Sequence, residues 1–152
     1  MTTKAQTVAG TSIAISASLP ATYDNSGFSA LTYTTLGEVT DIGTYGKDYT
    51  LVTHNPLNDR KTYKFKGSYN NGSLSIKLAK ATLVSTDAGQ VIALAASNSD
   101  ASYSFRVTNQ DGSKAYFTAK TMSFMTNVGS INSILGAELK VEIDSDITES
   151  AT

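Results

Sequence analysis

Tyr103-Ser104-Phe105-Arg106-Val107 and Ala115-Tyr116-Phe117-Thr118-Ala119, joined through Gln110-Asp111-Gly112, set the predicted fold class. In each arm apolar and polar residues alternate, which is the period of a β-strand with one buried face. Asp-Gly between two such arms favours a tight turn. The stretch therefore predicts a β-hairpin with Phe105 and Phe117 directed inward. A change of apolar phase after Thr121 predicts a bulge or bend near Lys120.

The same alternation recurs on both sides of this hairpin. It predicts a half-buried strand at residues 11–19, a long bent strand at 31–42, and a closing strand at 137–143. Residues 61–69 and 73–79 are also amphipathic, and the Asn70-Asn71-Gly72 turn between them predicts a second hairpin, with Tyr63, Phe65, Gly67 and Tyr69 on one face. Residues 43–60 contain glycines and Pro56 and are predicted to be a long loop.

One short helix is expected after Asp87, which can cap it, with Gln90 in the capping-box position and an apolar stripe at Val91, Ile92, Leu94 and Ala95. In total, the sequence predicts seven or eight antiparallel strands and one helix. This predicts an all-β fold, a β-sandwich or a partly closed barrel, in a single domain spanning residues 1–152. Residues 1–9 and 146–152 are expected to be flexible tails.

Composition excludes several classes of function. Charged residues make up 16% of the 152 residues, whereas Ser and Thr contribute 40 residues, which favours strands and turns over exposed helices. There is no cysteine, so disulfides and cysteine-ligated metals are excluded. The net charge of −1 does not favour tight binding to nucleic acid. The first residues lack the apolar core of a signal peptide, which predicts synthesis in the cytoplasm.

Candidate catalytic and metal-binding residues are few. His54 is the single histidine and lies in the predicted loop, where a histidine is more often a surface contact than a catalytic base. Asp144, Asp146 and Glu149 lack the glycine and spacing of an EF-hand and are interpreted as an acidic tail. The sequence thus predicts no enzyme activity and no cofactor.

In order and spacing, several stretches resemble the major tail tube protein of long, non-contractile bacteriophage tails. They are the first strand, residues 35–43, residues 60–67 with the turn that follows, the segment from Asp87 to Gln90, the 103–119 hairpin and the closing strand. The resemblance extends from about Gly10 to Ile147. It implies a structural virion protein whose copies form hexameric rings, which stack into a hollow tube that conducts DNA.

The resemblance also implies partners and contact residues. The partners are further copies of the chain, a tape-measure protein, tail-tip and terminator proteins, and DNA that passes through the lumen without specific binding. The resemblance places the protein in the virion tail, after synthesis and assembly in the host cytoplasm. The long loop would make contacts between rings through Tyr45, Lys47, Asp48, Tyr49, Leu51 and His54. Glu38, Asp41, Lys64 and Lys66 are assigned to the lumen or to a face between subunits, and the sequence leaves open which.

Two alternatives come from other classes. A β-sandwich adhesion or carbohydrate-binding module would be a stable monomer with an exposed aromatic patch, and the chain's eight tyrosines keep this interpretation open. A hydrolase is a more distant alternative, because the chain has one histidine and no cysteine.

Overall fold

The computed structural model describes residues 5–81 and 86–151, which form ten strands and two helices. The strands are β1 (Ser12–Ser16), β2 (Thr34–Thr35), β3 (Val39–Asp41), β4 (Asp48–His54), β5 (Tyr63–Asn70), β6 (Ser73–Ala79), β7 (Ser102–Thr108), β8 (Lys114–Asn127), β9 (Gly136–Ile143) and β10 (Thr148–Ser150). The helices are α1 (Asn25–Ser29) and α2 (Ala88–Ser97).

Eight of the strands form one antiparallel sheet in the order β2-β1-β7-β8-β9-β6-β3, with β10 added to β8. Although β2 and β3 lie at opposite ends of this order, Leu36, Gly37 and Glu38 are the whole connection between them. The sheet must therefore curl until its two edges approach each other, without closing into a barrel. The all-β prediction is confirmed. The strand predicted at 31–42 is divided at Glu38, whose φ of 58° breaks the extended backbone.

The main core fills the inside of the curl. Ile13, Phe105, Phe117 and Leu139 are fully buried there, and Phe105 stacks on Phe117 with ring centroids 5.5 Å apart. The β7–β8 pairing, the inward direction of both phenylalanines and the buried face of β9 are as predicted. The predicted irregularity near Lys120 is a register shift between Thr121 and Ser123.

Helix α2 packs against β1, β2 and β8. Asp87 caps it as predicted, because its carboxylate accepts hydrogen bonds from the backbone of Gly89 and Gln90. The predicted apolar stripe is correct only at Ile92, which packs against the core: Gly89, Gln90, Ala93 and Ala96 are the buried residues, whereas Val91 and Leu94 are exposed. The backbone of β2 approaches so closely that a Cβ on Gly89 would lie 2.5 Å from the Thr35 carbonyl oxygen, so the helix presents its smallest residues.

Helix α1, which the sequence analysis did not predict, packs on the outer face of β8 and beside β10. Asp24 caps α1 by accepting a 2.8 Å hydrogen bond from the Gly27 nitrogen, and Phe28 stacks on Tyr116 at 5.6 Å. Ala14 is buried on this face, so β1 is covered on both sides and is not half-buried as expected. The strand also ends at Ser16, which leaves Leu19 exposed.

The hairpin predicted around Asn70-Asn71-Gly72 does not form. Strand β5 pairs with β4, while β6 pairs with β9 and β3. A type I′ turn needs positive φ at both central residues, and here Gly72 has it (93°) but Asn71 does not. Asn71 is buried, and its carbonyl accepts a hydrogen bond from Gly46. The chain consequently passes from β5 into β6 without reversing to pair with itself.

Both ends of the described chain are tied to the body more closely than expected. Gln6, within the segment predicted to be a flexible tail, accepts a hydrogen bond from the Asp111 nitrogen. Residues 148–150, predicted to belong to the other tail, form β10 and pair with residues 114–116 of β8. The carboxylates beside this strand are also engaged, since Asp144 accepts a hydrogen bond from Thr118 at 2.6 Å.

Candidate assembly interface

Strands β4 and β5 form a two-stranded hairpin that pairs with no other strand in the described ranges. Its position follows from the chain path. From β3 the chain runs antiparallel to β6, passes Gly46 beside Asn71, and continues into β4, while β5 leads back into β6. The hairpin thus extends the β3–β6 pair beyond the end of the main sheet. Strand β4 occupies residues 48–54 of the predicted loop, since Tyr49, Leu51 and Val52 favour extended backbone.

A bulge in β5 determines which side chains lie on each face of the hairpin. Tyr49 pairs with Tyr69, whereas Leu51 pairs with Lys66, so β5 has one extra residue at Gly67-Ser68. Because of that extra residue, Tyr69 lies on the face of Lys64 and Lys66. The predicted single face of Tyr63, Phe65, Gly67 and Tyr69 is therefore wrong at Tyr69.

We call the first side of the hairpin the lysine face; its members are Lys47, Tyr49, Leu51, Tyr69, Lys66 and Lys64. The Lys66 ammonium lies 4.6 Å from the centroid of the Tyr49 ring, and Lys47 lies at the same distance from Tyr69. The two tyrosine rings are 5.3 Å apart. Cation–π contacts of this kind order the lysine stems while leaving the charges in solvent.

The second side, the apolar face, consists of Val52, His54, Tyr63 and Phe65. In register, Val52 is opposite Phe65, and His54 is opposite Tyr63. Phe65 is 56% exposed and Leu51 on the other side is 62% exposed, so neither face is covered. An isolated two-stranded hairpin is marginally stable in water. A hairpin with apolar groups exposed on both faces is typical of a surface that a partner covers.

The root of the hairpin is fastened to the body by Asp146. Its carboxylate accepts a 2.9 Å hydrogen bond from the Tyr69 hydroxyl and a longer one from the Asn71 amide. These hydrogen bonds, that of Tyr69 first, lower the pKa of Asp146. The same bond raises the pKa of Tyr69.

Replacing Tyr69 by phenylalanine is expected to raise the pKa of Asp146 toward its ordinary value. A carboxyl with a depressed pKa contributes stability above its unfolded pKa of about 3.9, and the contribution is lost as pH falls through the folded pKa. Carboxyl-carbon NMR titration measures the shift. Tyr63→Phe is the matched control, because Tyr63 donates to Asp59 instead. An Asp146 pKa equally low in Tyr69→Phe and wild type would contradict the assignment.

The structure brings together most of the residues that the sequence singled out. Lys47, Asp48, Tyr49, Leu51, His54, Lys64 and Lys66 all lie on the hairpin or at its root. Tyr45 does not: it is half-buried with its ring 5.9 Å from Phe117, and burial raises its pKa. Glu38 and Asp41 are exposed at β3, the far end of the β3–β6 pair. The four residues assigned to one lumen or subunit face are therefore divided between two ends of the molecule.

A second exposed segment, the 128–135 loop between β8 and β9, was missed by the sequence analysis. Ile131 is 97% exposed and Ile134 is 79% exposed, and Val128 and Leu135 are exposed as well. The loop follows Asn127, at the end of β9 that pairs with Leu78 and Ala79. Its signal in the sequence is four large apolar residues among Gly, Ser and Asn, a pattern that matches neither strand nor helix.

Within residues 5–81 and 86–151 no three His, Asp or Glu side chains converge to bind a metal ion. His54 is exposed on the hairpin. No helix in the described part of the chain is both long enough and apolar enough to cross a bilayer.

Comparison with known proteins relates this chain to solved structures but to no sequence family. No family model matches the chain, and no curated protein sequence is significantly similar to it. A chain in the cryo-EM structure of the anti-feeding prophage baseplate, 6-fold symmetrised, superposes with a TM-score of 0.60. The two chains share a fold. The match covers 99% of this chain and 97% of the baseplate chain at 12% identity, so the likeness extends over the whole molecule and concerns the fold alone.

Proposed function

We propose that this chain is a structural, non-enzymatic subunit of a phage-type tail tube. In this proposal six copies close into a ring, and rings stack into a hollow cylinder through which DNA passes into the host. The full-length similarity to a chain of a 6-fold symmetrised baseplate carries the proposal, because it joins this fold to a ring-shaped phage-derived assembly. A contact between two different faces of a copy closes into a ring when its rotation closes and otherwise continues as an open filament.

The uncovered hairpin supports the same proposal independently. Its two faces expose aromatic, aliphatic and lysine side chains, and it pairs with no other strand of the described chain. In an assembly of copies these groups would be buried, and a hairpin that is marginal alone would gain a partner. The tape-measure, tail-tip and terminator proteins remain proposed partners, and no residue of this chain is assigned to them.

Negative-stain electron microscopy across a concentration series, with light scattering on a sizing column, tests the proposal. We expect hollow six-fold rings at intermediate concentration and cylinders at high concentration. A strict monomer at every concentration would overturn the proposal. If that monomer bound carbohydrate through the exposed tyrosines, the adhesion-module alternative would replace it.

A further inference from the structure

Charge is distributed unevenly between the hairpin region and the rest of the molecule. Residues 47–70 contain five Lys or Arg and two Asp, whereas the rest of the chain contains seven Lys or Arg and eleven Asp or Glu. The nearly neutral chain thus consists of a positive projection and a negative body. Opposite charges on separate parts of one chain favour contacts between copies when the two parts lie at different ends.

The two ends are set by the β3–β6 pair. The hairpin adjoins this pair at Asn70, whereas Glu38 lies at the other end, where the Ala79 nitrogen bonds to the Glu38 carbonyl, and Asp41 lies opposite Lys77. Strand β6 lies between the hairpin and Glu38, and its seven residues span roughly 20 Å at about 3.3 Å per residue. The hairpin cannot reach Glu38 or Asp41 of its own chain by following β6, since it continues away from that strand.

The β3 end is the more acidic of the two. Glu38, Asp41 and Glu138 form what we call the acidic edge. Two lysines lie near it, but Lys77 is in register with Asp41 and Glu138, and the Lys80 ammonium donates to Thr126. Glu38 is exposed to solvent or a partner, and Asp41 is exposed beside Lys77.

Apolar surface accompanies the charges at both ends. The 128–135 loop lies beside the acidic edge, and its Ile134 borders a groove of about 340 Å³ with Leu78, Ala137 and Thr40. At the opposite end Leu51, Leu57 and Phe65 are exposed on the hairpin. Each end therefore offers an apolar group next to an excess of one sign of charge, positive on the hairpin and negative at the acidic edge.

We propose that the hairpin of one copy docks on the acidic edge and the 128–135 loop of the next copy, with Lys64 and Lys66 facing Glu38 and Asp41. The inference rests on the proposed function and supplies its contact between stacked rings. Because the contact joins two different surfaces at opposite ends of the molecule, it is head-to-tail, and it continues along an axis, as a cylinder requires, when its rotation does not close. It also gives a role to the candidate residues at both ends of the molecule. The lysines lie on one side of the contact, and Glu38 and Asp41 lie on the other.

Charge reversal on each side tests the pairing. The first variant carries Lys64→Glu and Lys66→Glu, and the second carries Glu38→Lys and Asp41→Lys. Each is expected to reduce the cylinders pelleted at fixed concentration by at least about tenfold, because like charges then face each other across the contact. Single rings should remain visible by negative stain.

Combining the changes provides the decisive result. A chain with all four substitutions restores opposite signs at every junction and is expected to recover cylinders to about the wild-type level. An equimolar mixture of the two variants should also recover them, by alternating along the stack, which shows that both variants are folded even if the four-substitution chain is not. The matched control, Lys114→Glu with Lys140→Glu, makes the same change of net charge on other strands and should stack normally.

Several outcomes would overturn the contact. Cylinders in both reversed variants at wild-type yield would overturn it while leaving the tube proposal intact. Loss of rings as well as cylinders would assign the residues to a contact within the ring. An equal loss of cylinders in the control would show that the change in net charge alone prevents stacking. Reversed variants that stack normally but lose affinity for a DNA duplex would assign the lysines to DNA instead. A wild-type chain that stays monomeric would overturn both proposals.

Discussion

Replacing Phe117 by alanine is expected to lower the free energy of unfolding by about 3–5 kcal/mol, the cost typical of emptying a fully buried phenylalanine site. Phe117 is completely buried between Phe105 and Tyr45, with ring centroids 5.5 Å and 5.9 Å away. It lies on β8, which pairs with β7, β9 and β10, so the cavity would open at the centre of the curled sheet. Urea denaturation followed by circular dichroism measures the loss.

The matched control is Phe65→Ala on the hairpin. Phe65 is 56% exposed, so the same deletion should change the unfolding free energy of the isolated subunit by less than about 1 kcal/mol. The same variant is expected to weaken assembly, because its side chain would be buried in the proposed contact. Equal destabilisation by the two substitutions would show that the hairpin belongs to the folding core and would contradict the division drawn here between core and interface.

Replacing Gln90 by leucine is expected to cost about 2–4 kcal/mol, although the new side chain is apolar and of similar size. Gln90 is fully buried, and its amide donates to the Ala79 carbonyl at 3.1 Å while accepting from the Ala81 nitrogen at 3.0 Å. These bonds join α2 to the chain that leaves β6. Leucine would leave both backbone groups without their partner in a partly buried site. Urea denaturation again supplies the measurement.

Gln90→Glu gives the same site a pH-dependent readout. A protonated carboxyl can donate to Ala79 and accept from Ala81, whereas a carboxylate cannot donate and is penalised by burial. The pKa of the introduced carboxyl in the folded state should therefore exceed its unfolded value of about 4.3. The variant is expected to match wild type below that pH and to lose stability relative to it as pH rises. A constant difference at all pH values would show that Gln90 does not make both bonds.

The elements that the sequence predicted correctly are those whose signals are local. The β7–β8 hairpin has alternation in both arms and Asp111-Gly112 between them, and the structure forms it in a regular register. The closing strand buries its alternate residues as predicted. Asp87 caps α2, since a carboxylate one residue before a helix can reach the free backbone nitrogens without help from the rest of the chain.

The incorrect predictions share a physical cause: strand pairing and helix packing depend on contacts between segments that are distant in the sequence. Asn71-Gly72 favours a tight turn, but β5 gains a partner in β4, and β6 gains seven register pairs with β9. Likewise the stripe on α2 predicts burial of its large residues, yet the close approach of β2 admits the small ones. Propensity describes what a segment can do alone, and tertiary packing overrides it when the alternatives are of similar energy.

The candidate interface shows the same division. The resemblance, not a pattern in the residues themselves, selected Lys64, Lys66, Tyr49 and Leu51. The face of the hairpin that they share with Tyr69 could not be predicted, because one extra residue at Gly67-Ser68 changes the side on which Tyr69 lies. The 128–135 loop was missed because exposed apolar residues in a loop have no periodicity to detect.

The sequence by itself determined the fold class, the β7–β8 hairpin, the closing strand and the capped helix. Tertiary structure alone decided which strands pair, where α1 packs, and that the hairpin with Lys64 adjoins one end of the β3–β6 pair while Glu38 lies at the other. The physical reason is that alternation fixes which side chains share a face of a strand but does not identify its neighbour. Neighbours are chosen by hydrogen bonding and packing between segments distant in the chain, and those choices place the positive hairpin and the acidic edge at opposite ends of the molecule.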